Sequence, residues 1–155
     1  MRLRSLKSRR RGATVVETAI ILFTFLVIVM GMIDLGMYQL RANLLTEACR
    51  QGVRAAIVHG SISPRPTSDT SWGPKQIGPV KGNDPSAAVQ AIQPFLYGID
   101  PSTVTITITW PDGGNDPTAD NRVKVAIDGS YSPMMTFIVN GSIPIHATSM
   151  MPIAH

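Results

Sequence analysis

The sequence predicts an α+β fold in which one long N-terminal helix, partly in a membrane and partly outside it, packs against a small antiparallel sheet. Three observations predict it. Residues 13–33 form an unbroken apolar run, residues 34–58 continue without proline at a helical period, and residues 103–110 and 122–131 alternate apolar and polar as strands do.

Composition sets the frame for these elements. A chain of 155 residues has room for an anchor and one small domain, which excludes multi-domain enzymes. Hydrophobic residues make up 44% and charged residues 15%, whereas soluble chains average about 25% charged. The net charge of +4 arises in the first twelve residues, where Arg2, Arg4, Lys7, Arg9, Arg10 and Arg11 stand without an acid, so the rest of the chain is mildly acidic. Aromatic residues are 6% and are not interleaved with lysine or arginine, which argues against nucleic acid as a partner. The single cysteine, Cys49, excludes an intramolecular disulfide framework and a thiolate metal cluster.

Residues 1–12 read as a basic leader and residues 13–33 as a transmembrane helix with one ionisable group, Glu17. Twenty-one residues span about 32 Å, close to the hydrocarbon thickness of about 30 Å. A cleaved secretory signal is the rival, but its apolar core is shorter and ends at a small-x-small site, whereas this run ends Met32, Ile33, Asp34. The basic leader before the span and Asp34 directly after it predict a cytoplasmic N-terminus and an extracytoplasmic C-terminal domain, in a single-pass protein of the inner membrane. Glu17 lies about 6 Å inside the run. It reads either as an interfacial carboxylate that pairs with Arg10 or Arg11 or takes up a proton, or as one awaiting a cation on a neighbouring helix.

Residues 34–58 extend the helix beyond the membrane, with a stripe at Leu35, Tyr38, Ala42, Leu45, Cys49, Gly52 and Ala56. The stripe narrows to small residues and predicts close approach by another backbone, which makes Asp34, Cys49, Gly52 and Ala56 candidate subunit contacts along with Glu17. Cys49 reads as a small buried hydrophobe or as an intermolecular disulfide. Arg41, Glu47, Arg50 and Arg54 fall off the stripe, on a face expected to be solvated.

Residues 59–84 carry Pro64, Pro66, Pro74 and Pro79 with Gly60, Gly73, Gly78 and Gly82, and predict a long loop. Trp72 within it is either a tether onto the domain or an exposed contact. Residues 85–155 predict a small α+β extracytoplasmic domain. Asp84 and Pro85 read as an N-cap and first-turn proline of a short helix ended by Pro94 and Gly98. Strands follow at 103–110, with Val104, Ile106, Ile108 and Trp110 on one face, and at 122–131, with Val123, Val125 and Ile127 on one face. Residues 134–139 are apolar without a clear assignment, and Asn140 and Gly141 signal a tight turn before a last strand at 142–151. Seventy-one residues without disulfides make a marginal domain, so the sheet is expected to pack on the outer half of the long helix.

No catalytic or metal-binding pattern stands out, and the chain reads as a non-enzyme without cofactor or metal. His59, His146 and His155 lie outside ligand spacing of one another and of Cys49, and G-x-S-x-G, H-E-x-x-H and phosphate-loop motifs are lacking. Asp112, Asp116, Asp120 and Asp128 lack calcium-loop spacing and read as solvated turn residues. Asn140, Gly141 and Ser142 match a glycosylation acceptor that turn chemistry explains equally well.

The order basic leader, Gly12, Ala13, apolar run with Glu17 as its fifth residue resembles a type IV pilin processing site. More specifically, RRRGATVVETAIILFTFLVIVMGMIDLGMYQLRANLLTEACRQGVRAAI resembles the TadE-like family, pseudopilin-like proteins of the tight-adherence pilus system, through G-x-x-x-x-E, GMIDLGMY and EACRQGVRAA. The closing IHATSMMPI is similar to the family's last strand, and Thr18 departs from the aromatic residue that often follows the glutamate there. The resemblance implies a minor pseudopilin or assembly factor, cleaved between Gly12 and Ala13 by a prepilin peptidase, with other pilin-like subunits, pilus assembly proteins and the membrane as partners. Glu17 would then neutralise the new α-amino group. A permanently anchored envelope protein whose outer domain binds a protein or glycan is the alternative, and an uncleaved leader would favour it.

Overall fold

The computed structural model describes residues 9–59, 72, 76–114, 120–135 and 141–154, with side chains from Gly12 onward. Helix α1 runs without interruption over Arg9–Ile57, about 73 Å at 1.5 Å per residue. It contains no proline, and its threonines satisfy their hydroxyls on the preceding turn: Thr18 donates to the Thr14 carbonyl at 2.8 Å and Thr24 to that of Ile20 at 2.9 Å. In hydrocarbon an unpartnered hydroxyl is costly, so this back-bonding suits a span.

Four strands follow in the order β1 (Ile77–Lys81), β2 (Thr105–Thr109), β3 (Arg122–Tyr131) and β4 (Ile143–Pro152), all neighbours antiparallel. The short helix α2 (Ala87–Ile92) lies between β1 and β2. The α+β architecture of a long helix against a small antiparallel sheet is therefore the one the residue pattern predicts. β2 and β3 place Ile106, Ile108, Val123, Val125 and Ile127 on the inner face, all fully buried like Val104 just before β2. Leu45, Cys49, Val53 and Ala56 of α1 meet that face, and Val89 and Ile92 of α2 close its side. The core is thus built on the second half of α1, while Val15, Ile20, Phe23, Phe25 and Ile33 of the first half are half or more exposed.

Four expectations change. Strand β1 occupies part of the stretch read as loop. Its proline is accommodated because it is an edge strand whose register shifts between Ile77 and Val80, and Gly78 adopts φ 94° where a Cβ would collide with the Ile106 carbonyl oxygen. Helix α2 starts later than Asp84 and Pro85 suggest: Ser86 is its N-cap, and Asp84 Oδ1 instead accepts from the Ser86 amide at 2.9 Å. Pro101–Thr103 form a 3₁₀ turn capped by Asp100, so β2 begins only at Thr105. Asp128 is a mid-strand residue, paired across the sheet with His146, whose Nδ1 lies 2.6 Å from its Oδ1.

Trp72 is buried and stacks on His59 at 4.4 Å and 9°, the tether arrangement. The leader residues 1–8, most of the 59–84 segment, Asp116, residues 136–139, Asn140 of the turn signal and His155 lie outside the described residues. Gly141 does take the positive φ, 108°, that such a turn requires.

Candidate functional site

The helix carries the candidate positions in two groups, separated by Asp34. Below it, Gly12, Ala13 and Glu17 are all exposed along an uncovered helical surface. The pairing of Glu17 with Arg10 or Arg11 involves side chains outside the described ones. The helix is long and apolar enough to cross a membrane once, and its apolar part is exposed from Gly12 to Leu26 and partly covered at Val27, Val29 and Gly31.

Above it, Cys49, Gly52 and Ala56 are buried inside the molecule. A Cβ on Gly52 would lie 2.8 Å from Ile92 Cδ1 and 3.4 Å from Val125 Cγ1, so the side chains that close on this small residue come from the chain's own α2 and sheet. The same logic operates from the sheet: a Cβ on Gly129 would stand 3.1 Å from Leu45 Cδ1. Cys49 Sγ contacts the Ala147 carbonyl at 3.2 Å, and burial pushes its thiol up to about 12. A protonated thiol without access to solvent is poorly placed for disulfide exchange, which favours the buried-hydrophobe reading.

Asp34 is the junction between the two groups. It faces the domain, where Oδ1 accepts from the Tyr131 hydroxyl at 2.8 Å and the Met134 amide at 2.9 Å, and Oδ2 from the Met135 amide at 3.0 Å. The Met134 amide is the main reason its carboxyl lies below the ordinary 3.8, with burial opposing and the Tyr131 hydroxyl and Met135 amide adding to the shift. Burial, followed by the bond to Asp34, pushes the Tyr131 phenol up. The residue thus latches the end of β3 to the helix at the foot of the domain. The residue pattern marked Asp34 as the end of the span but did not find its partners, which are 97 to 101 residues away.

Arg41 departs from the solvated face expected for it. Its guanidinium carbon sits 5.1 Å from the centre of the Tyr131 ring, which Tyr38 meets edge-on at 6.2 Å. Elsewhere, Arg122 grips Asp112 through Nε at 3.0 Å and Nη2 at 2.8 Å, and its amide donates to the same carboxylate at 2.9 Å. Asp112 therefore closes the β2–β3 connection. Among the described residues no three His, Cys, Asp or Glu side chains converge.

No curated protein and no solved structure matches the chain. Residues 12–54 match the family model for TadE-like protein, which takes in the span, Asp34 and most of the packed stripe. Over those residues the helix that organises this fold is similar to that of the TadE-like family.

Proposed function

We propose that the chain is a minor pseudopilin or assembly factor of a tight-adherence, type IV-like pilus or a related secretion system, acting by helix packing and subunit contact and not by catalysis. The observation that carries this reading is the division of one TadE-like helix. Its outer half packs one face against the chain's own α2 and sheet, and its apolar half is exposed from Gly12 to Leu26. A bare apolar helix fits lipid while the subunit is stored in the membrane and fits neighbouring helices after assembly.

In this reading the basic leader holds the N-terminus in the cytoplasm, the span crosses the inner membrane, and prepilin peptidase cuts between Gly12 and Ala13. Cleavage frees an α-amino group with a pKa of about 8, about 6 Å along the axis from Glu17. The exposed Glu17 side chain is free to neutralise that cation on its own or an adjacent subunit, which sets the axial register of helices as they pack. The other pilin-like subunits and the assembly proteins would then meet the bare half of the helix and the outward faces of the domain.

The test is the mass and N-terminal sequence of the protein from its native membrane, with the cognate peptidase present and absent. A chain starting at Ala13 only when the peptidase is present supports pilin-type processing. Retention of residues 1–12 in both cases returns the protein to the permanently anchored reading, with the outer domain as its binding surface.

A further inference from the structure

A groove of about 520 Å³ lies at the foot of the domain, between α1 and the ends of β3 and β4. Ile28, Gly31 and Leu35 form its helix wall, and Tyr131, Met135 and Ile143 its sheet wall. Gly31 borders open space there: a Cβ on it would meet nothing within 4 Å. The one carboxylate on the groove, Asp34, has both oxygens engaged by Tyr131, Met134 and Met135, so the interior offers water few hydrogen bonds.

Its position says what fills it. Ile28 and Gly31 belong to the last turns of the 13–33 span, which puts the groove at the depth of acyl chains, and Leu35 on its helix wall is exposed. A cavity of about 300–1,000 Å³ is the scale of a small-molecule or single-chain ligand.

Arg41 lies just outside the groove, over the ring of Tyr131 that lines it. It stands one turn beyond Tyr38, and side chains on a helix lean toward its N-terminus, here toward the membrane. Its guanidinium rests on the face of Tyr131. Among the described residues its Nε has no hydrogen-bond partner and no carboxylate lies within ion-pair distance. A cation at the headgroup end of an apolar groove matches a phosphate carried on an acyl chain.

We propose that this groove holds one acyl chain of a phospholipid from the leaflet on the domain side, with the lipid phosphate at Arg41. The proposal rests on the reading of residues 13–33 as a membrane span. The lipid would fill the seam between span and domain while the subunit is in the membrane.

The test uses the full chain in phosphatidylcholine–phosphatidylglycerol vesicles doped with a phospholipid bearing a photoactivatable acyl chain, with adducts mapped by mass spectrometry. Adducts are expected on Met135 and Ile143 of the sheet wall as well as on Phe23 and Phe25. Filling the groove with Gly31→Trp should lower the sheet-wall adducts about tenfold while leaving those on Phe23 unchanged. Arg41→Gln should lower them about threefold with the phospholipid and not with a photoactivatable diacylglycerol. Labelled Phe23 and Phe25 with bare Met135 and Ile143 would overturn the groove assignment while leaving the span intact. Absence of label at all four positions would overturn the span reading, and the proposal with it. Chain-to-chain crosslinks through Met135 in place of lipid adducts would give the groove to a second copy, and an Arg41→Gln effect equal for both probes would remove the phosphate.

Discussion

Gly52 and Cys49 show how little space separates helix and sheet. Gly52→Val would push two methyl groups into Ile92, which is itself fully buried, and is expected to destabilise the domain by about 2 kcal/mol in chemical denaturation even though valine is the better helix former. With its thiol pushed up to about 12, Cys49 should react with iodoacetamide at pH 8 only as fast as the domain opens. Labelling that rises sharply in urea and is negligible without it is the expected result. Tyr131→Phe removes one of the three donors to Asp34 while keeping the ring beneath Arg41. It should cost about 1.5 kcal/mol, measured by thermal unfolding of the full chain in detergent.

At the scale of elements, α1 is continuous in backbone but divided in what holds it. Leu45 is 1% exposed in the core and Leu26 is 50% exposed on the apolar half. Leu45→Ala should therefore lower the stability of the outer domain by about 3 kcal/mol, whereas Leu26→Ala should leave it unchanged, as followed by near-ultraviolet circular dichroism of Trp72 and Trp110. Equal effects would mean that the two halves unfold as one unit. The strands β2 and β3 were legible because period-two alternation over five and ten residues is a direct image of one-sided burial. β1 was hidden because IGPVK carries a glycine and a proline, and only its pairing with β2 makes it a strand. Asp112 likewise reads as a turn residue until Arg122, ten residues on, is brought against it.

For the whole molecule, the titrating groups predict a stability plateau with two flanks. Asp34, Asp100 and Asp112 all lie below the ordinary 3.8: Asp34 chiefly through the Met134 amide, Asp100 through that of Ser102, and Asp112 through the Arg122 side chain. A carboxyl lowered on folding stabilises the native state above 3.8, and that stabilisation is lost as pH falls through the folded value. Cys49 has the opposite sign: its neutral form is favoured by burial, so stability present below 9.0 declines as pH rises from there toward about 12. The melting temperature should be flat between these limits and fall on both sides. In Tyr131→Phe the acid flank should shift toward higher pH, because Asp34 loses a donor that holds it ionised.

The sequence alone determined what depends on local periodicity and composition: a membrane-length apolar helix, its continuation as a striped helix, two alternating strands, and a TadE-like order of residues around Gly12, Glu17 and Asp34. These follow from one-dimensional spacing because burial of a helix stripe or a strand face repeats every few residues. Only the tertiary structure decided which partners fill the stripe. Small residues at 49, 52 and 56 call for close approach by some backbone but do not specify whose, and the fold fills the space with α2 and the sheet. Long-range contacts also decided that Asp34 binds the foot of the domain, that Arg41 lies on Tyr131, and that Gly31 faces Tyr131, Met135 and Ile143 across a groove. Each joins residues about a hundred positions apart, and such pairings depend on chain topology, which no local pattern records.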